Sequence, residues 1–140
     1  MKFVLVFLLC FIAVSSLAQD SWKASLDKKV LLNTSNEDEK QNILKISAGD
    51  LIKSKNFTLN YKESPPQKGW ERTIRLYDEK DHELKKQNGK KLTLKTSQLT
   101  ALLDQYKTVK IYTLNSPTDP KLKERVRIRR VHLCTLILQE

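Results

Sequence analysis

The chain of 140 residues is poor in the residue types that staple, chelate or hinge a protein. It has two cysteines, one methionine, three glycines and two histidines. Cys10 sits inside an apolar N-terminal run, so Cys134 is the only thiol in everything that follows. A lone thiol closes no intramolecular disulfide, which excludes the small stapled modules of animal secretions and leaves stability to packing. Gly49, Gly69 and Gly89 are isolated from one another, so no glycine-rich loop can cradle a phosphate. No serine or threonine stands in a nucleophile-elbow sequence. The one methionine is Met1, which takes away the usual weak axial ligand of a blue-copper centre.

A long hydrophobic run is also missing. Phe3 to Val14 gives twelve apolar residues, too few to cross a hydrocarbon layer of about 30 Å as a helix. Lys2 before that run, and Ser16-Leu17-Ala18 after it, complete the three-part layout of a secretory signal peptide with cleavage expected after Ala18. Bulky Leu8 and Leu9 precede Cys10 where a lipid-attachment site needs a small residue. The expected organisation is therefore a signal peptide over residues 1–18 and a single β-sandwich domain over 19–140, secreted or periplasmic, with no stable transmembrane anchor. The 122 residues after the leader suit one core.

What is abundant is positive charge. Twenty-six lysines and arginines face 16 acidic side chains, a formal net charge of +10. Residues 121–130 hold six of the basic groups and one acid. Outside the cytoplasm such a surface meets phosphorylated lipid headgroups and acidic glycans, and nucleic acid is not expected as a partner.

Period-two alternation dominates the rest. It marks "FTLNY", "WERTIRLY", "KLTLK" and "TVKIYTL" as strands with one buried face, and "KVLLN" and "NILKI" as shorter ones. In "WERTIRLY" it sets Trp70, Ile74 and Leu76 against Glu71, Thr73 and Arg75, so Trp70 is expected in the core. The polar stretch Asp78 to Asp81 reads as a hairpin connection, and Asn88-Gly89 as a second tight hairpin. Pro65-Pro66 and the stretch Pro117 to Pro120 punctuate further loops. Leu99, Leu102, Leu103 and Tyr106 lie on one face of a helix over about 97–106, capped by Thr96 or Ser97. A helical turn is expected at Ser47 to Lys53, and the two helical pieces read as similar crossover connections. Many short strands and little helix make this an all-β, immunoglobulin-like or jelly-roll two-sheet sandwich with one short amphipathic helix.

The basic stretch "KERVRIRR" raises the functional question. If it is a strand with Val126 and Ile128 inward, then Arg125, Arg127 and Arg129 face solvent at a spacing of roughly 6.8 Å. With Lys121 and Lys123 they form a candidate surface for an anionic lipid or glycan, since guanidinium forks match phosphate and sulfate oxygens. The plainer reading pairs them with carboxylates such as Glu71 and Glu124. Beyond Arg130 the apolar positions change phase, which calls for a bulge near Arg129-Arg130 and a central place for the final run.

Other chemistry is thin. His132 and Cys134 have the spacing of two metal ligands but nothing nearby completes a site, and a buried thiol is the better reading. Asp78, Glu79, Asp81 and Glu83 lack the alternating oxygen ligands of a calcium loop and read as a solvated turn. Trp22, Trp70, Tyr77, Tyr106 and Tyr112 are the residues available for a sugar platform. No cofactor is expected.

The exported N-terminus, the hairpin "IRLYDEKDHELKK" and the ending "RIRRVHLCTLIL" resemble those of small uncharacterised secreted sandwich proteins of Bacteroidetes-type bacteria, over most of the mature chain. That family has no assigned activity, so the resemblance implies a compartment and a fold only. The expected function is a non-catalytic binding or accessory module contacting anionic envelope lipid or glycan through the basic strand. The alternatives are an envelope-protein interaction through a sheet edge, and an enzyme with a histidine-containing cleft.

Overall fold

The computed structural model describes residues 19–139, so the expected signal peptide lies outside the described residues. Two sheets pack face to face. The four-stranded sheet has the order β2-β1-β4-β7, built from β1 (Ser21–Leu26), β2 (Lys29–Thr34), β4 (Asn56–Lys62) and β7 (Lys91–Lys95). The five-stranded sheet has the order β3-β9-β8-β5-β6, built from β3 (Ile43–Ser47), β5 (Trp70–Tyr77), β6 (Glu83–Asn88), β8 (Thr108–Pro117) and β9 (Arg130–Gln139). Every neighbouring pair is antiparallel except β3 with β9, which is parallel. The two sheets form an all-β sandwich, and the run β9-β8-β5-β6 matches the G-F-C-C′ order of an immunoglobulin-like sheet. Among the described residues no helix is long and apolar enough to cross a membrane.

Alternation builds the interior. Phe57 and Leu59 of β4, and Leu92 and Leu94 of β7, meet Ile74 and Leu76 of β5 and Val109 and Ile111 of β8 across the gap, all buried. Each such side chain contributes about 1.5–3 kcal/mol by leaving water. Strand β1 joins this core through Trp22, Ala24 and Leu26, a short alternation close to the start of the described residues.

Two helices carry the chain between sheets at one end of the sandwich. Helix α1 (Ala48–Lys53) links β3 to β4, and α2 (Thr96–Tyr106) links β7 to β8. Ser47 Oγ accepts the Asp50 N–H at 3.1 Å as the cap of α1. Helix α2 buries Leu99 and Leu103. Its start differs from expectation, because Gln98 Oε1 accepts the Lys95 N–H and the Thr96 hydroxyl donates to Ser54 O at 2.7 Å. A third, short helix, α3 (Pro120–Lys123), follows β8 and was not anticipated.

The Asn88-Gly89 turn closes no hairpin. Strand β6 ends in one sheet and β7 begins in the other, so these residues form a corner between sheets, with Gly89 at φ +102°. The expected bulge exists but lies further along. Cys134 pairs with Ile111 and His132 with Tyr112, which leaves Leu133 as the extra residue. Leu133 and Cys134 therefore both point inward, and the apolar phase passes from odd to even positions there. The bulge frees a carbonyl from the ladder, and the indole Nε1 of Trp22 donates to Leu133 O at 2.8 Å. One buried hydrogen bond thus fastens the two sheets at the irregularity.

Trp22→Phe keeps an aromatic side chain there, though a smaller one, and leaves that carbonyl without its donor. It is expected to lower unfolding free energy by about 1–3 kcal/mol in urea denaturation, with an unchanged midpoint speaking against the fastening role.

Candidate functional site

Strand β4 starts at Asn56, paired with Lys95 just before α2, and ends at Lys62, paired with Ser21. The helices therefore close one end of the sandwich and the start of β1 marks the other. At that second end the inward row of β5 continues past Ile74 to Arg72 and Trp70. Arg72 is a charge inside the sandwich, its side chain 7% exposed, and Glu63, 8% exposed, accepts its Nε–H at 2.7 Å. Nη1 donates to Thr113 Oγ1 at 3.0 Å, and the guanidinium lies 4.1 Å from the centre of the Tyr61 ring. Asp20 Oδ2 stands 3.9 Å from Nη2 and accepts the Tyr61 hydroxyl at 2.7 Å. Burial pushes the Glu63 carboxyl up, yet the Arg72 and Lys90 contacts outweigh it and hold the group below the usual range. Burial and the neighbouring Asp20 push the Tyr61 phenol well above its ordinary value, so it stays a neutral donor.

Above this polar layer lies an open cleft of about 590 Å³. Trp22 and Tyr61, stacked at 5.9 Å with their planes 8° apart, form part of its floor. Trp70 lines its wall and is half-buried, not a core residue. Its inward direction was read correctly, but the interior stops at Arg72, so the next inward residue meets solvent. Gln67 faces Trp70's side of the cleft from the β4–β5 connection, and its Oε1 accepts Asn115 Nδ2 at 2.8 Å.

The basic stretch supplies the opposite rim, in a form other than expected. Residues 121–129 are not a strand. Asp119 caps α3 by accepting the Lys121 N–H, Pro120 opens the helix, and the N–H groups of Arg125 and Val126 return to Leu122 O. Residues 127–129 belong to no helix or ladder, and β9 starts at Arg130. Val126 and Ile128 are half-buried while Arg125, Arg127 and Arg129 are exposed, so the in–out alternation survives without the sheet. Lys121 and Lys123 are exposed on α3, away from the cleft lining. Only Arg127 and Arg129 of the five candidates line the cleft. Arg129 is forked onto Glu37, with Nη1 to Oε1 at 2.8 Å and Nη2 to Oε2 at 2.9 Å. Neither Glu71 nor Glu124 pairs with the arginines among the described residues. Arg127 has no ion pair or side-chain hydrogen bond among the described residues.

The outer face of the five-stranded sheet carries a separate aromatic row. Tyr77 meets Tyr112 edge to face at 5.5 Å, and Tyr112 meets His132 at 5.3 Å. Arg130 lies 4.0 Å over Tyr112 and 3.4 Å from Asp81 Oδ1. His132 is buried, its Nε2 is 2.8 Å from Thr135 Oγ1, and its Nδ1 has no partner among the described residues. Burial holds its pKa below the ordinary histidine value. Cys134 points to the other face, into the core, where burial pushes the thiol to about 12. The pair is thus split by the sheet and shares no site. Asp78 organises its turn by accepting the N–H groups of Lys80 and His82 at 2.9 and 2.8 Å. Neither histidine lines the cleft.

No protein-family model matches this chain, and no curated protein matches it either.

Two tests follow from these environments. His132 is neutral in the fold and free to bind a proton when unfolded. Stability is therefore full above about pH 6.5 and falls as the pH drops below it through the lowered folded value. His132→Asn is expected to flatten that part of a stability-against-pH curve, leaving the separate loss at more acid pH, below the ordinary carboxylate range, where Glu63 and Asp78 take up protons; an unchanged curve contradicts the assignment. Cys134 is expected to react with a thiol reagent at pH 8 only after denaturation, which a thiol titration with and without guanidinium reads directly.

Proposed function

We propose that this chain is a non-catalytic exported binding module that contacts an anionic envelope lipid or glycan at the open end of the sandwich. The observation that carries this reading is Arg127, an exposed guanidinium without a partner among the described residues, placed at the mouth of a cleft beside Trp70. A cation held without a carboxylate keeps its charge for a ligand, whereas Arg129 is answered by Glu37. Lys121, Lys123 and Arg125 form an outer fringe that raises the local positive potential and speeds encounter. Export is supported by the leader pattern of residues 1–18, and the likeness to secreted Bacteroidetes-type sandwiches belongs to the same proposal.

The fold supports this end by analogy. The β4–β5 and β8–β9 connections occupy the places of the B–C and F–G loops, which immunoglobulin-like domains use for recognition. Sheet-edge capture has less support. Edge strands β2, β3, β6 and β7 are five or six residues long and carry lysines such as Lys29, Lys45, Lys85 and Lys91, features that blunt edge pairing.

Retention of the protein on immobilised polygalacturonate and on phosphatidylglycerol vesicles, followed against salt, tests the reading. Binding to at least one is expected to fall with salt, and Arg127→Gln to weaken it about tenfold, the loss of one charge-assisted contact. Retention on neither, or retention indifferent to Arg127→Gln, contradicts it.

A further inference from the structure

The Arg129–Glu37 fork already sets a carboxylate against a guanidinium at this end of the molecule. Both carboxylate oxygens engage the two terminal nitrogens at 2.8 and 2.9 Å, a two-point fit that a carboxylate satisfies. Glu37 comes from the β2–β3 connection and lines the same cleft as Arg127 and Trp70. Within the lining, Arg72 is answered by Asp20 and by Glu63 beneath, and Arg129 by Glu37. Glu63 is answered in turn by Lys90, so Arg127 is left as the unbalanced cation, enough for one further carboxylate. The remaining groups suit the rest of an acidic sugar. Trp70 offers a half-exposed ring face, and Gln67, whose oxygen is committed to Asn115, keeps its own amide N–H groups for hydroxyl oxygens. A flat bilayer surface offers no sugar ring to fill the cleft against Trp70.

We infer that the cleft is a subsite for a carboxylate-bearing saccharide in which Glu37 acts as a built-in competitor. The sugar carboxylate sits on Arg127 with its ring against Trp70. Glu37 limits affinity by holding Arg129 and by repelling the incoming anion. The inference rests on the binding-module reading above and adds the ligand class and the residue that sets its affinity.

Calorimetric titration of the protein with trigalacturonate, and with the neutral galactotriose as control, tests both parts. The acidic trisaccharide is expected to bind at least tenfold more tightly than the neutral one. Glu37→Gln is expected to tighten its binding severalfold, and Arg127→Gln to weaken it about tenfold. Trp70→Ala removes the ring face. Gln67→Ala, at an exposed position, supplies the same test of sugar contact should the tryptophan variant fail to fold. Equal binding of the two sugars overturns the inference, as does unchanged or weaker binding in Glu37→Gln. Salt-sensitive retention on phosphatidylglycerol vesicles without any trigalacturonate binding also overturns it while leaving the binding-module reading intact. If neither vesicle nor polygalacturonate retains the protein, both fall.

Discussion

The ion pair between Arg72 and Glu63 is where the hydrophobic interior ends, and the rest of the cleft is arranged on it. Burying two charges costs several kcal/mol each, so the pair persists only because its geometry and its other contacts offset that cost. Here the offsets are visible: a 2.7 Å bond to Glu63, a second to Thr113, the Tyr61 ring beneath the guanidinium, and Lys90 at 3.3 Å on the far oxygen of Glu63. Tyr61 stacks in turn on Trp22, whose indole reaches the bulge carbonyl of Leu133. A continuous chain of contacts thus runs from the irregularity in β9 to the floor of the cleft.

That floor fixes the connections around it. Asp20 Oδ1 accepts the Ser64 N–H at 2.9 Å, Gly69 O accepts the Thr118 N–H at 2.9 Å, and Asn115 bonds Gln67. The β4–β5 and β8–β9 connections are therefore tied to one another and to the chain entering β1. Side chains borne on tied backbone lose less freedom when they engage a ligand, which favours recognition over general stickiness. The basic segment that follows α3 is held at the mouth in this way, with Arg129 secured by Glu37 and Arg127 left open.

Much of the sandwich was legible because a strand with one wet face must alternate, and β4, β5, β7 and β8 do so with few exceptions. The amphipathic spacing of α2 was equally plain. The failures have physical causes. Alternation at 125–129 came from a surface segment that turns at Arg125-Val126 and joins no ladder, while Asp119-Pro120 signalled a helix start just before it. The phase change in the last strand announced a bulge, but the adjacent apolar pair Leu133-Cys134, both turned inward, marks its true position. Strand β1 is hard to read because Trp22, Ala24 and Leu26 make an alternation of only three inward residues next to the expected signal peptide. At the candidate site, Arg127 and Arg129 were found from charge alone. Arg72 was missed although it occupies an inward position between Trp70 and Ile74, the one signal that a buried charge was coming. Glu37, Glu63 and Gln67 come from separate connections, and nothing local in the sequence brings them together.

The account's central claim is that Arg72 and Glu63 act as one unit, each costly to bury without the other. A double-mutant cycle on unfolding free energy, with Arg72→Met, Glu63→Leu and the pair together, measures this most directly. The expected result is a loss of about 3–5 kcal/mol for each single change and a combined loss no larger than one of them. Single losses that simply add would show two independent surface groups, and the cleft would then have no buried charge to rest on.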